Sequence, residues 1–262
     1  MSVPAHVAGI LTTPVKALRI VARDAISLDP GGVRDNRRFF LIDEHGTMVN
    51  GKRYGALQAV VADYDDAART LTLRFPGAEP VSGRVENGAP VAAGFFASTL
   101  AASEVVGPWA AALSEFVGEP LRLVEPDVPE GAIDRGAIGP VSLVSSATLE
   151  LLGREAGLDA PLDARRLRML FEIAGVGAHE EDAWIGRRLR IGGATVMARG
   201  HVGRCVITKR DPDTGEVDID TLGALARYRR DVDTTEPVAC GTFGVVVEPG
   251  EVRVGDAVEL LG

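Results

Sequence analysis

The residues with the clearest capacity for chemistry lie in one short stretch around a cysteine. Cys205 is one of two cysteines in the chain; it directly follows Arg204 and stands close to Lys209 and Arg210. A thiolate is the form of cysteine that binds soft metals or transfers sulfur, and fixed positive charge beside it favours that form. The alternative is a small buried core residue, a common role for a free cysteine.

Other polar groups near Cys205 offer acid–base chemistry. His201 lies four residues before Cys205 and could orient a ligand or act as an acid–base group. Asp211 and Asp213 belong to the sequence DPDTG, where they are expected to shape a turn. A role for Asp213 as a proton donor is the alternative. The cysteines and histidines lack the short spacing of a structural zinc site, so we reject that function.

Composition limits the class of protein. With 262 residues the chain forms one large domain or two closely associated ones. The net charge of −9 argues against general nucleic-acid binding. No apolar run approaches the roughly 18 residues of a membrane span, and the N-terminus does not resemble a signal peptide. Two cysteines then fit a cytoplasmic protein with free thiols.

The elements that must position Cys205 are mostly strands. Short alternating segments between turn signals predict a β-barrel or sandwich. Helices are expected over 106–117, over 146–156 with a cap at Ser145 or Ser146, and over 221–230. Residues 125–140, rich in Pro, Gly and Asp, predict a loop or domain junction. The predicted strands are 7–16, 18–28, 37–43, 47–62 (continuing into a hairpin of 57–64 with 69–75), 121–124, a strand after the basic loop 163–168, 182–193, 194–199, 202–208, and a strand–turn–strand tail over 242–261.

The cysteine stretch also resembles a known signature. RCVITKRDPDTGEVD followed by TLGALARYR, starting at Arg204, resembles the signature of the MOSC family, named for the C-terminal domain of molybdenum cofactor sulfurases. DAWIG from Asp182 and VGD from Val254 resemble further MOSC segments. Pro14-Val15-Lys16, Arg34-Asp35, Arg37 and Gly46-x-Met48-Val49 resemble the β-barrel domain that precedes MOSC in amidoxime-reducing components. The resemblance implies an α+β, mainly β fold: an N-terminal β-barrel-like domain over 1–125 and a MOSC-type β-barrel over 126–262.

The resemblance further implies a molybdenum cofactor, a pterin dithiolene with a phosphate tail, whose metal takes Cys205 as a ligand. The resemblance extends to basic residues. It implies that Lys16 and Arg37 contact the phosphate or pterin, and Arg166 and Arg168 match two family arginines. Arg204 adds charge beside the thiol. Hydroxyls at a helix start form a natural anion site, here Ser145, Ser146 and Thr148. For each cation or hydroxyl the alternative is a solvated surface charge or an ordinary cap.

This chain departs from the family pattern at specific positions. Ala17 follows the lysine of PVK, where the family often has Ser. Leu170 replaces the Asn of the R-x-R-x-N segment, and Met169 stands where Pro is frequent. Two polar contacts to the cofactor are therefore expected to be missing, which predicts weaker cofactor binding or a different ligand.

Three hypotheses about function follow. The first is a molybdenum-dependent oxidoreductase that reduces small N-hydroxylated substrates. Because the sequence has no Cys-rich iron–sulfur motif and no G-x-G-x-x-G after a strand, its electrons must come from a separate protein of flavin reductase, ferredoxin or cytochrome type. The second is a sulfur or cofactor carrier with a persulfide on Cys205. The third is a cofactor-free enzyme with Cys205 as nucleophile and His201 as base. At the family level the resemblance also implies pyridoxal phosphate binding.

Overall fold

Mostly antiparallel sheets, with three α-helices packed against them, position the cysteine stretch. The structure is a computed structural model that describes residues 4–127 and 138–262. In these ranges the helices are α1 (Trp109–Val117), α2 (Ser146–Glu155) and α3 (Thr221–Tyr228). The strands in chain order are β1 (His6–Thr12), β2 (Val21–Arg23), β3 (Ala25–Leu28), β4 (Phe40–Ile42), β5 (Met48–Val49), β6 (Val61–Asp65), β7 (Thr70–Arg74), β8 (Val81–Arg84), β9 (Glu86–Phe95), β10 (Ser98–Val106), β11 (Arg122–Pro126), β12 (Val141–Ser145), β13 (Phe171–Ala174), β14 (Arg188–Ile191), β15 (Ala194–His201), β16 (Thr242–Glu248), β17 (Gly250–Arg253) and β18 (Val258–Leu260).

The largest sheet joins the two ends of the chain. Its eight strands run in the order β18-β14-β15-β16-β12-β13-β1-β2. Strand β1 pairs antiparallel with β13, with Ile10 opposite Phe171, and both side chains are fully buried. Strand β3 pairs with β17 in a separate two-stranded sheet. The pairing of β1 with β13 and of β3 with β17 therefore crosses the boundary predicted between residues 125 and 126.

The middle of the N-terminal half forms the remaining sheets. A five-stranded sheet has the order β5-β4-β11-β10-β9, and a three-stranded sheet has the order β6-β7-β8. Helix α1 packs on this part through Trp109, which is fully buried and donates its indole N–H to the carbonyl of Leu71 at 3.0 Å. Burial of so large a ring with its one donor satisfied stabilises this core. No helix of the described ranges has the length and apolarity needed to cross a bilayer.

The mainly β, α+β fold class is confirmed, as are the three helices and the hairpin, observed as β6 with β7. Helix α2 starts as predicted, because the Ser145 hydroxyl accepts from the Thr148 amide at 3.1 Å. Strands β8, β9 and β10 occupy residues for which no element was predicted. The part of the predicted junction at 128–137 lies outside the described residues.

Several predicted strands are shorter than the alternation suggested. The segment 18–28 is split into β2 and β3, and in 47–62 strand β5 is followed by a 3-10 helix, Gly55–Ala59. Within 182–193 only β14 is extended, after the 3-10 helix Glu180–Trp184. The predicted strand 202–208 is wrong. The Val202 amide donates to the Gly241 carbonyl and the Val202 carbonyl accepts from the Cys240 amide. A 3-10 helix, Val206–Lys209, begins directly after Cys205.

Candidate functional site

Cys205 lines a large open cleft to which distant parts of the chain contribute. The cleft has a volume of about 820 Å³. Its polar and charged lining groups are Lys16, Arg37, Asn50, Lys52, Ser98, Ser142, Arg168, Arg204, Cys205 and Glu236. Its apolar lining groups include Phe95, Phe96, Leu100, Ile138, Met169 and Ile207. A partly exposed thiol therefore shares one cavity with several cations and with an apolar wall.

The position of Cys205 is set by the turn that follows it. Its carbonyl accepts from the amide and from the hydroxyl of Thr208, each at 3.1 Å. The Thr208 hydroxyl also lies 2.7 Å from that of Thr221 at the start of α3. The start of α3 thus contacts the 3-10 helix through Thr208, and Thr208 holds the backbone of Cys205. Both cysteines are free, as predicted.

The second cysteine, Cys240, lies in surroundings that disfavour the reactive thiolate. Cys240 is fully buried in an apolar cluster with Leu149, Leu152 and Leu225. Burial raises the pKa of its thiol to about 11, because the low-polarity interior disfavours the thiolate. The two cysteines therefore have different roles: Cys205 faces the cleft and Cys240 packs the core.

This difference predicts selective thiol labelling. In protein prepared without cofactor, a disulfide reagent such as dithionitrobenzoate should modify Cys205 within minutes and leave Cys240 unmodified until the protein is denatured. Counting released thiolate before and after denaturant, with Cys205→Ala as the control, measures this. Rapid release of two equivalents from the folded wild type would contradict the assignment.

Hydrogen bonds to backbone carbonyls link the segments that carry the cleft cations. The Arg37 guanidinium donates to the carbonyl of Arg168 at 2.8 Å, and the Arg168 guanidinium donates to the carbonyl of Leu18 at 2.9 Å. The amide of Lys16 donates to the Phe39 carbonyl at 2.8 Å. Segments near residues 16, 37 and 168 are thereby held together, so their positive charges converge on one cavity rather than separating.

Backbone strain is concentrated at the same place. Ala17, Arg37, Phe96 and Arg168 all line the cleft and all have positive φ, of 81°, 54°, 52° and 54° respectively. Residues with a Cβ adopt this left-handed region at a cost of order 1 kcal/mol each. Strain of this kind persists where the surrounding structure enforces it and is commonly found at ligand sites.

Arg204 lines the cleft but uses its guanidinium for structure. Its Nε donates to the Cys240 carbonyl and its Nη1 to the Leu167 carbonyl, both at 2.8 Å. Its Nη2 lies 2.9 Å from Sδ of Met169. The side chain is buried, and it joins the loop of Cys205 to the loop that carries Arg168. Arg204 therefore shapes the cleft and contributes charge to it from within the protein.

A loop that the sequence interpretation did not assign to the site completes the wall. Asn50 and Lys52 line the cleft, and Gly51 between them is close to Ile207: a Cβ at Gly51 would lie 2.5 Å from Cδ1 of Ile207, so that side chain would have to move. The basic sequence Gly51-Lys52-Arg53 was the available signal. Ser142 was also missed; its hydroxyl accepts from the Leu170 amide at 2.9 Å.

The predicted hydroxyl donors do not line the cleft. Ser145 and Thr148 are fully buried; their hydroxyls lie 2.7 Å apart, and Thr148 donates to the Glu181 carboxylate at 3.0 Å. Ser146 donates to Glu172 at 2.7 Å. The Ser145 hydroxyl caps α2, and those of Thr148 and Ser146 bind carboxylates, so none of the three lines the cleft.

Three other predicted residues are also engaged elsewhere. Arg166 is buried and binds Asp218 with two hydrogen bonds, at 2.7 and 2.6 Å. The Arg165 guanidinium donates two hydrogen bonds to the Asp213 carboxylate, at 2.8 and 2.9 Å, and these hydrogen bonds lower the pKa of Asp213. Asp213 is therefore a carboxylate at neutral pH and a poor proton donor. The ring of His201 faces Asp182 at 3.4 Å and is outside the cleft lining.

His201 belongs, through Asp182 and Arg229, to a polar cluster outside the cleft lining. Glu181, fully buried, has a raised pKa because burial disfavours its charged form. Burial, assisted by the charge of Arg229, lowers the pKa of His179 to about 4. The His179 Nε2 lies 3.1 Å from the Tyr228 hydroxyl. The cluster ties α3 to the 3-10 helix before β14 and keeps His179 neutral.

The lowered pKa of His179 predicts a pH-dependent stability. Between pH 6.5 and 4 the unfolded chain binds a proton at His179 that the native state excludes, so this residue's contribution falls as the pH falls. In His179→Asn, which suits the left-handed backbone at φ 59°, that contribution is absent. Urea unfolding should therefore show that the free energy of unfolding of the wild type, relative to that of the variant, is lower at pH 4.5 than at pH 7. A relative free energy that is the same at both pH values would refute this assignment.

Two protein families match this chain. The MOSC domain matches residues 131–259, and the MOSC N-terminal beta barrel domain matches residues 4–120. The chain belongs to the MOSC domain family. It is 28% identical over 267 residues to mitochondrial amidoxime-reducing component 1 of Homo sapiens, covering 91% of this chain and 76% of that protein. It is 25% identical over 263 residues to molybdenum cofactor sulfurase of Caenorhabditis briggsae, covering 96% of this chain and 35% of the sulfurase.

Among solved structures, the YUAD protein from Bacillus subtilis covers 98% of this chain and is itself covered to 96%, with a TM-score of 0.45 and 12% identity. By their names, the first relative takes part in amidoxime reduction and the second is a sulfurase of the molybdenum cofactor. The chain spans about a third of the length of the sulfurase that it matches.

The departures from the MOSC pattern have different structural consequences. Ala17 lies at the cleft wall, so the absence of a hydroxyl there removes a donor from the cavity. Leu170 is buried in the hydrophobic cluster that also contains Ile10 and Phe171 and is not a lining residue. The Leu170 side chain therefore packs the sheet, and of the two expected losses of polar contacts only the one at Ala17 is in the cleft.

Proposed function

We propose that the cleft binds the molybdenum cofactor with Cys205 as a metal ligand, and that the protein reduces small N-hydroxylated substrates. The observation that supports this most strongly is that a partly exposed thiol and several cationic side chains line one cavity of about 820 Å³. The name of the human relative, an amidoxime-reducing component, indicates the substrate class.

The residues of the cleft fit this group. A pterin dithiolene with a phosphate tail needs positive charge and hydrogen-bond donors along one side and a soft ligand at the metal. Lys16, Arg37 and Arg168 supply the first, and the sulfur of Cys205 supplies the second. The cavity is also in the size range of cofactor sites. The chemistry of the donor set therefore matches the group.

Each residue has a separate role in this proposal. Lys16, Arg37 and Arg168 bind the anionic tail and orient it. Arg204 holds the Cys205 loop against Met169 and Leu167, which keeps the sulfur facing the cavity. When bound, the cofactor supplies two-electron chemistry at an oxo-molybdenum centre. We also propose a cytoplasmic location and a separate electron-donor protein of flavin reductase, ferredoxin or cytochrome type.

The test is the composition and activity of protein expressed in a host supplied with molybdate. We expect about one molybdenum and one pterin per chain, and reduction of an amidoxime to the amidine when a chemically reduced viologen supplies electrons. Protein that carries neither metal nor pterin from such a host would refute cofactor binding. Protein that carries both but reduces no N-hydroxylated compound would refute the reaction.

A second candidate function is suggested by the alignment with the nematode sulfurase, which includes almost all of this chain. Cys205 would then carry a persulfide or present the cofactor to another protein. The partial exposure of Cys205 permits either role. A cyanide-labile sulfur on Cys205, detected by mass spectrometry as a mass increase of about one sulfur atom, would favour the carrier over the reductase. A cofactor-free thiol enzyme is less well supported, because the His201 ring faces Asp182.

A further inference from the structure

An exposed aromatic side chain, that of Phe96, stands at the rim of the cleft. Phe96 follows the last residue of β9 in the two-residue connection to β10, and it is 65% exposed. Its φ of 52° lies in the left-handed region, where tight hairpin connections normally use Asn, Asp or Gly. A large apolar residue here is doubly unfavourable, because it is both strained and in contact with water.

The ring of Phe96 is nevertheless held in place. It meets the ring of Phe95 edge to face, with centroids 4.9 Å apart and an interplanar angle of 83°. Phe95 in turn meets the fully buried Phe40 at 5.2 Å and 76°. An aromatic ladder therefore runs from the core of the five-stranded sheet to the rim. Phe96 is a supported ring with one side open, rather than a loose side chain.

The open ring belongs to the cleft and adjoins its positive charge. Phe95 and Phe96 are lining residues together with Leu100 and Ile138, and Ile138 is also exposed. The Lys16 ammonium lies 5.3 Å from the Phe96 centroid and 5.6 Å from that of Phe95. The apolar rim is thus next to a cofactor-binding cation of the proposed site.

We propose that Phe96 is a specificity-determining residue that packs against the flat apolar body of the substrate. This inference rests on the proposed function, because it takes the N-hydroxylated group to be directed toward Cys205 and the remainder of the molecule toward the rim. It commits to one class of ligand: amidoximes and related N-hydroxylated compounds that carry an aryl group. A small ligand with the same reactive group but no ring gains nothing from Phe96.

The pair benzamidoxime and acetamidoxime isolates the ring, because the two compounds share the amidoxime group. Equilibrium dissociation constants are measured by calorimetry on molybdenum-loaded wild type, Phe96→Ala and Phe96→Asn, and KM and kcat are measured on the same preparations. Asn accepts the left-handed backbone, so Phe96→Asn should be at least as thermally stable as the wild type. Val106→Ala, on an exposed residue at the far end of β10, is the matched control. Molybdenum content is measured for every variant.

We expect both Phe96 variants to weaken benzamidoxime binding by on the order of tenfold, the usual scale for one aromatic stacking contact. KM for benzamidoxime should rise in parallel while kcat, acetamidoxime binding and molybdenum content stay within about twofold. Val106→Ala should change nothing.

Equal effects on the two ligands, or none, would overturn the proposal. A loss of molybdenum that weakens both ligands together would also overturn it, since Phe96 would then serve to position Lys16. Wild-type protein that binds neither compound would overturn the proposal as well. If the wild type reduces neither compound, the proposed reaction fails, and the comparison of dissociation constants still decides whether Phe96 selects aryl ligands.

Discussion

Replacing Cys205 with alanine is expected to remove both molybdenum and reductase activity while leaving the fold intact. The thiol is partly exposed, and the backbone of Cys205 is held by Thr208 rather than by the sulfur. Loss of groups that merely support a metal ligand lowers metal affinity by about 10- to 100-fold, so loss of the ligand itself should exceed about 100-fold. Metal analysis of the desalted protein and steady-state rates with a chemical reductant measure the two effects.

The matched control for this variant is Cys240→Ala. Cys240 is buried in the core with a pKa of about 11, so its replacement should lower thermal stability slightly and leave molybdenum content unchanged. Thermal melts and circular dichroism establish that both variants are folded. Full molybdenum content and undiminished activity in Cys205→Ala would contradict the assignment of Cys205 as a metal ligand.

The double variant Lys16→Gln with Arg37→Gln is expected to have the second-largest effect. It removes two positive charges from the cleft lining, and a hydrogen bond to a charged group contributes about 1.5–3 kcal/mol. Retention of the pterin after desalting should therefore fall by on the order of 100-fold or more. The residual activity should recover when free cofactor is supplied, because the thiol of Cys205 remains.

Lys209→Gln is the control for charge alone. Lys209 lies close to Cys205 in sequence, but its ammonium pairs with Asp220 at 3.0 Å and it is not a lining residue of the cleft. Pterin content should be unchanged in this variant. Because the Arg37 guanidinium also donates to the Arg168 carbonyl, unfolding by urea must be measured for the double variant. Equal pterin loss in Lys209→Gln and in the double variant would show that net charge, and not the cleft, governs retention.

Local pattern in the sequence predicted the helices: α2 follows from its cap and apolar spacing, and α3 from its apolar run. The grouping of Cys205 with Lys16, Arg37 and Arg168 in one cleft was implied by the resemblance to the MOSC family rather than by local pattern. What could not be read from local pattern is which polar groups are consumed by partners distant in the chain. Arg166 with Asp218, and Thr148 with Glu181, are examples.

Tertiary packing also overrode the alternation that predicted a strand over 202–208. The backbone there pairs with the loop around Gly241, and Thr208 closes a turn on Cys205. The same limit applies to Phe96, because no pattern in the sequence marks a residue as both strained and supported by an aromatic ladder. Likewise, the pairing of β1 with β13 joins segments about 160 residues apart, a long-range contact that only the folded chain defines.

The number of sulfur atoms bound to molybdenum tests the central claim most directly. X-ray absorption at the molybdenum edge of the purified wild-type protein should require three sulfur ligands, two from the dithiolene and one from Cys205. In Cys205→Ala that still carries a trace of reconstituted cofactor, the count should fall to two. An unchanged count in the two proteins, or a metal with no sulfur neighbours in the wild type, would contradict the account.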